Sequence, residues 1–343
     1  MKKFVKIISV ILCMVMAFTF TSCSNEKSAP PVEPEDFRVT AYVVCGDGLD
    51  ESTFDPSNLD KVTDIIVFGS VTFDENGEMT VSENMQNDLD ILRKHMNGQD
   101  LYLNILGPSA QTDSSDWNDQ MHDLADRHTK AFESGVLENN IKSVLEEFNF
   151  DGVVFDYEFP LRKKDWKAFD KFILSLDSVL GNDFEIGMSM VGWNLKQSKE
   201  AMNATDFFEV MSYDLWDDNG NHATFDIAKD DIETFLKKGY EGYKLDLGLP
   251  FYARPTTKDA YWYDYKNYYD KFDENGLYSD DETGLTFSFN TYDMISEKTQ
   301  YALDSGVGGV MIWHYACDVP ADNSASLFKA IDDAKQQAIK NDN

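Results

Sequence analysis

Asp151-Gly152-Val153-Val154-Phe155-Asp156-Tyr157-Glu158-Phe159-Pro160 reads as a buried strand that ends in acid. Its run 152–155 is apolar without alternation, as in parallel sheets covered on both faces. Side chains along a strand alternate, so Val154, Asp156 and Glu158 share one face, while Val153 and Phe155 point towards covering helices. The pattern recurs on either side. Candidate strands lie at 38–44, 64–71, 101–106, 152–157, 184–191, 207–212, 245–250 and 309–313, most of them continuously apolar. Amphipathic stretches fall between them at 84–96, 127–148, 165–180, 227–238 and 292–305, and a last one at 326–339 closes the ring. Eight strand–helix units over about 300 residues predict an α/β fold, the (β/α)8 TIM barrel, in preference to two doubly wound domains. One connection is too long for a simple loop. Residues 255–291, between strands seven and eight, hold aromatics, acids and turns, and read as an inserted subdomain over one side of the barrel mouth.

The first 22 residues read as a signal peptide. Lys2, Lys3 and Lys6 make its basic start, and 8–20 is an apolar run too short to span a bilayer comfortably. Phe20-Thr21-Ser22-Cys23 resembles a bacterial lipobox, which makes Cys23 the expected lipidation site and an ordinary secretory cleavage the alternative. The polar, Pro-rich stretch 23–37 is a tether, and 38–343 is the barrel domain. The expected location is the bacterial cell envelope, lipid-anchored or secreted. A net charge of −32 repels phosphates and anionic lipids, so no nucleic-acid partner is expected, and membrane contact is expected only through the anchor. Cys13 and Cys23 belong to the leader and anchor, leaving Cys45 and Cys317. These are too few for a disulfide scaffold, and the five histidines are scattered, so neither metal nor cofactor is expected. Strands one and eight adjoin in a closed barrel, which sends Cys45 and Cys317 out on one face; whether they pair is left open. The Asn-Gly steps at 74–77, 217–220 and 273–276 read as hairpin or loop turns. A monomer is expected.

Barrel chemistry sits at the C-terminal ends of the strands, which places Asp156 and Glu158 at the mouth and Val154 below them. Two carboxylates so close cannot ionise independently, so one pKa rises, and an acid is kept protonated near neutral pH. Alone, an Asp-x-Glu strand end is equally compatible with a solvated rim pair.

Four segments carry a resemblance. Residues 151–160 resemble the D-G-x-D-x-D-W-E-Y-P signature of glycoside hydrolase family 18. Met211-Ser212-Tyr213-Asp214 is similar to its M-x-Y-D, Gly248-Leu249-Pro250-Phe251-Tyr252-Ala253-Arg254 to its G-x-P-x-Y-G-R, and Gly308-Gly309-Val310-Met311-Ile312-Trp313 to its G-G-x-M-x-W. The resemblance implies hydrolysis of β-1,4-linked N-acetylglucosamine in chitin-like oligosaccharides by substrate-assisted, retaining catalysis. It implies Glu158 as acid/base, Asp156 as acceptor of the acetamido N–H, and Tyr213 as donor to the acetamido oxygen. Asp214 contacts the same sugar or steadies this network, Trp313 floors the ring, and Arg254 is a polar contact at the mouth. Tyr42 and Phe68 read first as barrel filling, although the family also brings aromatics there; Trp193, Trp216 and Trp262 are candidate sugar platforms. The alternatives are an endo-β-N-acetylglucosaminidase acting on N-glycan chitobiose cores, a non-catalytic sugar-binding lipoprotein, and a glycosidase of peptidoglycan.

Two positions depart from the pattern. Val154 replaces the middle Asp, so Asp156 loses its usual acidic partner and is expected to stay ionised. Leu106-Gly107-Pro108-Ser109 replaces the S-x-G-G of strand three, which bears on substrate class.

Overall fold

The computed structural model describes residues 32–342; the signal peptide and Cys23 lie outside the described residues. Eight parallel strands close a ring: β1 (Arg38–Val44), β2 (Asp64–Phe68), β3 (Asp100–Ile105), β4 (Gly152–Phe155), β5 (Glu185–Met190), β6 (Phe207–Val210), β7 (Leu245–Pro250) and β8 (Gly309–Trp313). The ring closes where β1 meets β8, with Ala41 opposite Ile312. Eight α-helices surround it: α1 (Met85–His95), α2 (Trp117–Phe132), α3 (Leu137–Phe148), α4 (Lys163–Leu180), α5 (Lys199–Ala204), α6 (Phe225–Lys238), α7 (Tyr292–Asp304) and α8 (Leu327–Asp342). The expected TIM barrel is present, with an uneven distribution of helices. Only the short 3-10 turn Leu59–Lys61 follows β1, while α2 and α3 both lie between β3 and β4.

The two largest departures from the sequence reading have local causes. The stretch 127–148 is two helices, because Gly135 takes a left-handed φ of +74° between them. The first begins earlier than its apolar period suggests, at Asp116, whose side chain accepts the amides of Asn118 and Asp119. The run 64–71 is interrupted at Gly69, where φ is +84°, and Val71–Phe73 then pairs with Met79–Val81 in a hairpin. That hairpin turns at the Asn76-Gly77 step, with Gly77 at φ +82°.

The alternation read from 151–160 divides the core. Tyr42, Ile66, Tyr102, Val154, Phe207, Met211 and Met311 fill the barrel interior. The other face packs under the helices, where Phe155 meets Phe169 and Phe172 of α4. Tyr157 stacks on His128 of α2 at 4.2 Å, as its parity requires. Inside the ring, Gly187 sits opposite Val154, and a Cβ there would lie 2.4 Å from the Phe207 ring. The insertion is a four-stranded antiparallel sheet in the order Tyr263–Asp264, Tyr252–Pro255, Thr286–Ser288, Leu277–Ser279. It starts at Tyr252, three residues before the expected boundary, because β7 runs into it almost directly. Cys45 and Cys317 are both buried free thiols.

Candidate active site

Just beyond the end of β4 the chain delivers Asp156 and Glu158 to the mouth. Glu158 opens to solvent, whereas Asp156 is half-buried and its Oδ1 is shut away without a hydrogen-bond partner. The two carboxyls lie close enough for each to act on the ionisation of the other. Burial first, and the charge of Glu158 second, push the Asp156 carboxyl well above the usual range. Glu158 is also raised, by the desolvating walls of the mouth and by the charge of Asp214, while the bond from Asp156 acts the other way. Both carboxyls are thus held above the usual range, Asp156 the more strongly. For Asp156 this direction runs against the expectation that it stays ionised. Replacing an acid by Val154 removed a repulsion, but it also made the layer beneath Asp156 less polar, which disfavours the anion.

Tyr213 and Asp214 follow β6. The Tyr213 ring is half-buried with its hydroxyl 3.9 Å from the Met311 sulfur, and burial followed by the charge of Asp156 keeps that hydroxyl protonated. Gly248 makes room for it, since a Cβ there would lie 3.0 Å from the ring and 2.4 Å from the Val210 carbonyl oxygen. Asp214 takes a left-handed φ of +55°, and its amide donates to Nε2 of buried His222 at 2.9 Å. That nitrogen also lies 3.4 Å from Asp214 Oδ1, but it is already an acceptor, and burial holds the ring neutral, so the contact is no ion pair. The Asp214 carboxylate is gripped by both arms of Arg254, at 2.8 and 2.7 Å, and by the Tyr252 hydroxyl at 2.7 Å. Burial opposes its ionisation, yet the hydrogen bonds from Arg254 and Tyr252 hold it well below the usual carboxylate range.

An acid pair at the end of β4, a tyrosine after β6 and an aspartate held by Arg254 form one constellation on one face of the barrel. The model of the Glycosyl hydrolases family 18 matches residues 38–318. The chain belongs to that family. It is 30% identical over 141 residues to Probable chitinase 2 of Drosophila melanogaster, a match spanning 35% of this chain and 29% of that protein. Among solved structures, the GH18 chitinase ChiB of Flavobacterium johnsoniae superposes with a TM-score of 0.67 at 20% identity, over 88% of this chain and 94% of that one. A chitinase from Bacteroides thetaiotaomicron does so at 0.65 and 17%, covering 88% and 97% of the two chains. The chitinase-like agglutinin RobpsCRA from Robinia pseudoacacia gives 0.66 and 18%, covering 86% and 99%. At such identities the likeness is one of fold.

Around this family 18 constellation the aromatics divide into three kinds. Trp193 is 56% exposed on the turn after β5, edge-on to Phe159 at 4.9 Å. With Glu158, Met211, Tyr213 and Asp214 it lines a cavity of about 250 Å³. Trp313, at the end of β8, is half-buried against Tyr42 and Phe68, with ring centroids 5.2 and 4.8 Å away. Trp216 and Trp262 are joints to the insertion. Trp216 donates to the Pro255 carbonyl at 3.0 Å, and Trp262 stacks on Tyr252 at 3.7 Å. Neither lines that cavity, and Arg254 is occupied by Asp214. Tyr42 is buried in the barrel with a polar task, its hydroxyl 2.9 Å from Ser189 Oγ and donating to Glu209. Glu209, Ser189, His222 and Tyr252 were missed in the sequence reading. Glu209 alone had a visible signal, a single acid within the apolar run Phe207-Phe208-Glu209-Val210.

Proposed function

We propose that this domain hydrolyses β-1,4-linked N-acetylglucosamine in chitin-like oligosaccharides. The observation that carries the reading is the placement of Asp156 and Glu158 just beyond the end of β4, with Tyr213 and Asp214 beside Glu158 in one cavity. As Asp156 turns to accept the acetamido N–H of the bound sugar, its proton passes to Glu158. Glu158 then protonates the glycosidic oxygen while the acetamido oxygen attacks the anomeric carbon and the leaving sugar departs. The Asp156 carboxylate offsets the positive oxazolinium, and the Tyr213 hydroxyl holds the acetamido oxygen in line. Glu158 next takes a proton from water, which attacks the same carbon and opens the ring. Two inversions give retention.

The test compares chitin oligomers with a high-mannose glycopeptide as substrates. Glu158→Gln should lower hydrolysis by at least about 10²–10⁴-fold without loss of fold. A thiazoline analogue of the intermediate should compete with substrate, and cleavage of sugars lacking the 2-acetamido group would sink the mechanism. The apolar Val154 favours a second reading, action on N-glycan chitobiose cores, which the glycopeptide arm detects. A folded protein that binds oligomers and cleaves neither substrate is the sugar-binding alternative. We further propose a monomer anchored in the cell envelope through Cys23. Incorporation of an alkynyl palmitate, abolished by Cys23→Ser, is the expected result, and label retained in that variant refutes the anchor.

A further inference from the structure

In the outer layer of the barrel, α7 buries a lysine that the proposed reaction does not use. Lys298 is fully enclosed, and its Nζ donates to the Ala223 carbonyl and to Asn290 Oδ1, both at 2.5 Å. Both acceptors are uncharged. Burial outweighs the charge of Glu297 and pushes the ammonium down to about 7. Ala223 immediately precedes Thr224, whose side chain caps the N-terminus of α6 by accepting the Ile227 amide. The positive end of that helix dipole disfavours a cation there as well. An apolar residue of the same length would escape both costs, so the two hydrogen bonds call for a reason.

What they hold is the loop that carries Asp214. The chain leaves β6, passes Tyr213 and Asp214, and returns to α6 at Ala223. Asp214 and Ala223, at the two ends of this loop, both take left-handed φ angles, +55° and +48°. Neither is glycine, and such residues persist only where their surroundings hold them. The Ala223 amide donates to the Leu215 carbonyl at 2.8 Å, and its own carbonyl accepts from Lys298. The His222 amide beside it donates to Ser288 Oγ at 3.1 Å, and the His222 carbonyl accepts from Asn290 Nδ2 at 3.3 Å. His222 Nε2 in turn accepts the Asp214 amide. A continuous series of contacts therefore runs from Lys298 through Asn290 and His222 to Asp214.

We infer that Lys298 is a positioning residue for Asp214. Its donors fix the Ala223 carbonyl and the Asn290 side chain, these hold the His222 backbone, and the His222 ring holds the Asp214 amide in its left-handed turn. In that turn the Asp214 carboxylate meets Arg254 and Tyr252 and borders the cavity that Glu158 also lines. Lysine suits the task by reach, since a long apolar stem carries its donors from a helix of the outer layer to the loop. The effect on Glu158 rests on the hydrolase reading above, whereas the hold on Asp214 does not.

The experiment has two arms on the full-length chain. Lys298→Met keeps the length of the side chain and removes its donors. Amide hydrogen exchange is followed residue by residue by NMR. The Asp214 amide should exchange about tenfold faster in the variant, the change expected for one hydrogen bond lost, while the amides of β3 keep their wild-type rates. An unchanged Asp214 amide overturns the inference. So does an acceleration shared equally by Asp214 and β3, which makes Lys298 a prop of the fold alone. If Lys298→Met does not fold, Asn290→Ala cuts the path one bond further on and carries the same expectations and the same refutations. In the kinetic arm, Lys298→Met should move the alkaline limb of kcat/KM to lower pH, because a loosened Asp214 raises Glu158 less. Added to Asp214→Asn, it should move that limb no further. A limb that moves with Asp214→Asn but not with Lys298→Met overturns the inference, as does a second shift in the double variant. If Asp214→Asn leaves the limb in place, or the wild type cleaves no substrate, the reading of the site fails, and the exchange arm still decides the hold on Asp214.

Discussion

Asp64→Asn should stabilise the protein at high pH and leave it unchanged at low pH. Asp64 begins β2 at the bottom of the barrel, 5% exposed, and accepts the Thr63 hydroxyl at 2.5 Å. Burial, with the charges of Asp246 and Asp100 added, outweighs Thr63 and Arg38 and pushes its carboxyl from 3.8 to about 7. The folded state therefore holds this proton more tightly than the unfolded chain does. The stability so contributed is complete below about pH 4 and is lost as the pH rises through 7. A rise of about three pH units at 1.36 kcal/mol each is about 4 kcal/mol. Asparagine keeps the shape and an acceptor for Thr63 and never ionises, so it avoids that loss. Taking about 2.1 cal/mol/K per residue for the entropy of unfolding over roughly 300 residues, the variant should melt about 6 °C higher at pH 8. At pH 4 the two melting curves should coincide. Hydrolysis near pH 5.5 should be unaffected, since Asp64 is neutral there and lies at the opposite end of the barrel from Glu158. Scanning calorimetry at the two pH values decides the matter. A variant no more stable than wild type at pH 8, or equally stabilised at both, would refute the assignment of a buried, destabilising anion.

Two further outcomes concern the mouth. Asp214→Asn removes one of the charges that raise Glu158, so the alkaline limb of kcat/KM, which reports loss of the protonated acid, should move to lower pH. A limb that stays or moves upwards means that Asp214 does not act on Glu158. Trp193→Ala should weaken chitin-oligomer binding by about tenfold, read by titration calorimetry, with little change in melting temperature because the ring is 56% exposed. Unchanged affinity removes Trp193 from the sugar path.

The barrel was legible because its evidence is local and repeated. Three of eight strands, 38–44, 245–250 and 309–313, have the read boundaries, since a run buried on both faces is apolar until it leaves the sheet. Elements failed where one glycine outweighed a periodic pattern, as at Gly135, and where a second sheet took up the end of a strand, as at Tyr252. The acid pair was legible from parity alone. The partners of Arg254 and Trp216 were not, because they lie 40 and 39 residues away, beyond α6 and β7, where no period connects them.

The ionisation of Asp156 failed for a more general reason, and Val154 shows it. Removing an acid from a motif has two opposite effects on its neighbour: less repulsion, which favours the anion, and less polarity, which disfavours it. Sequence exposes the first because the missing residue is in the motif. The second depends on what the remaining barrel brings to the same layer, and here Ile66 and Met311 arrive with Val154. Asn104 is hidden from the motif for the same reason: it is 50 residues from Val154 along the chain, and the two become cross-strand partners only when β3 and β4 pair. A departure inside a motif is therefore judged by the inward side chains that neighbouring strands bring beside it.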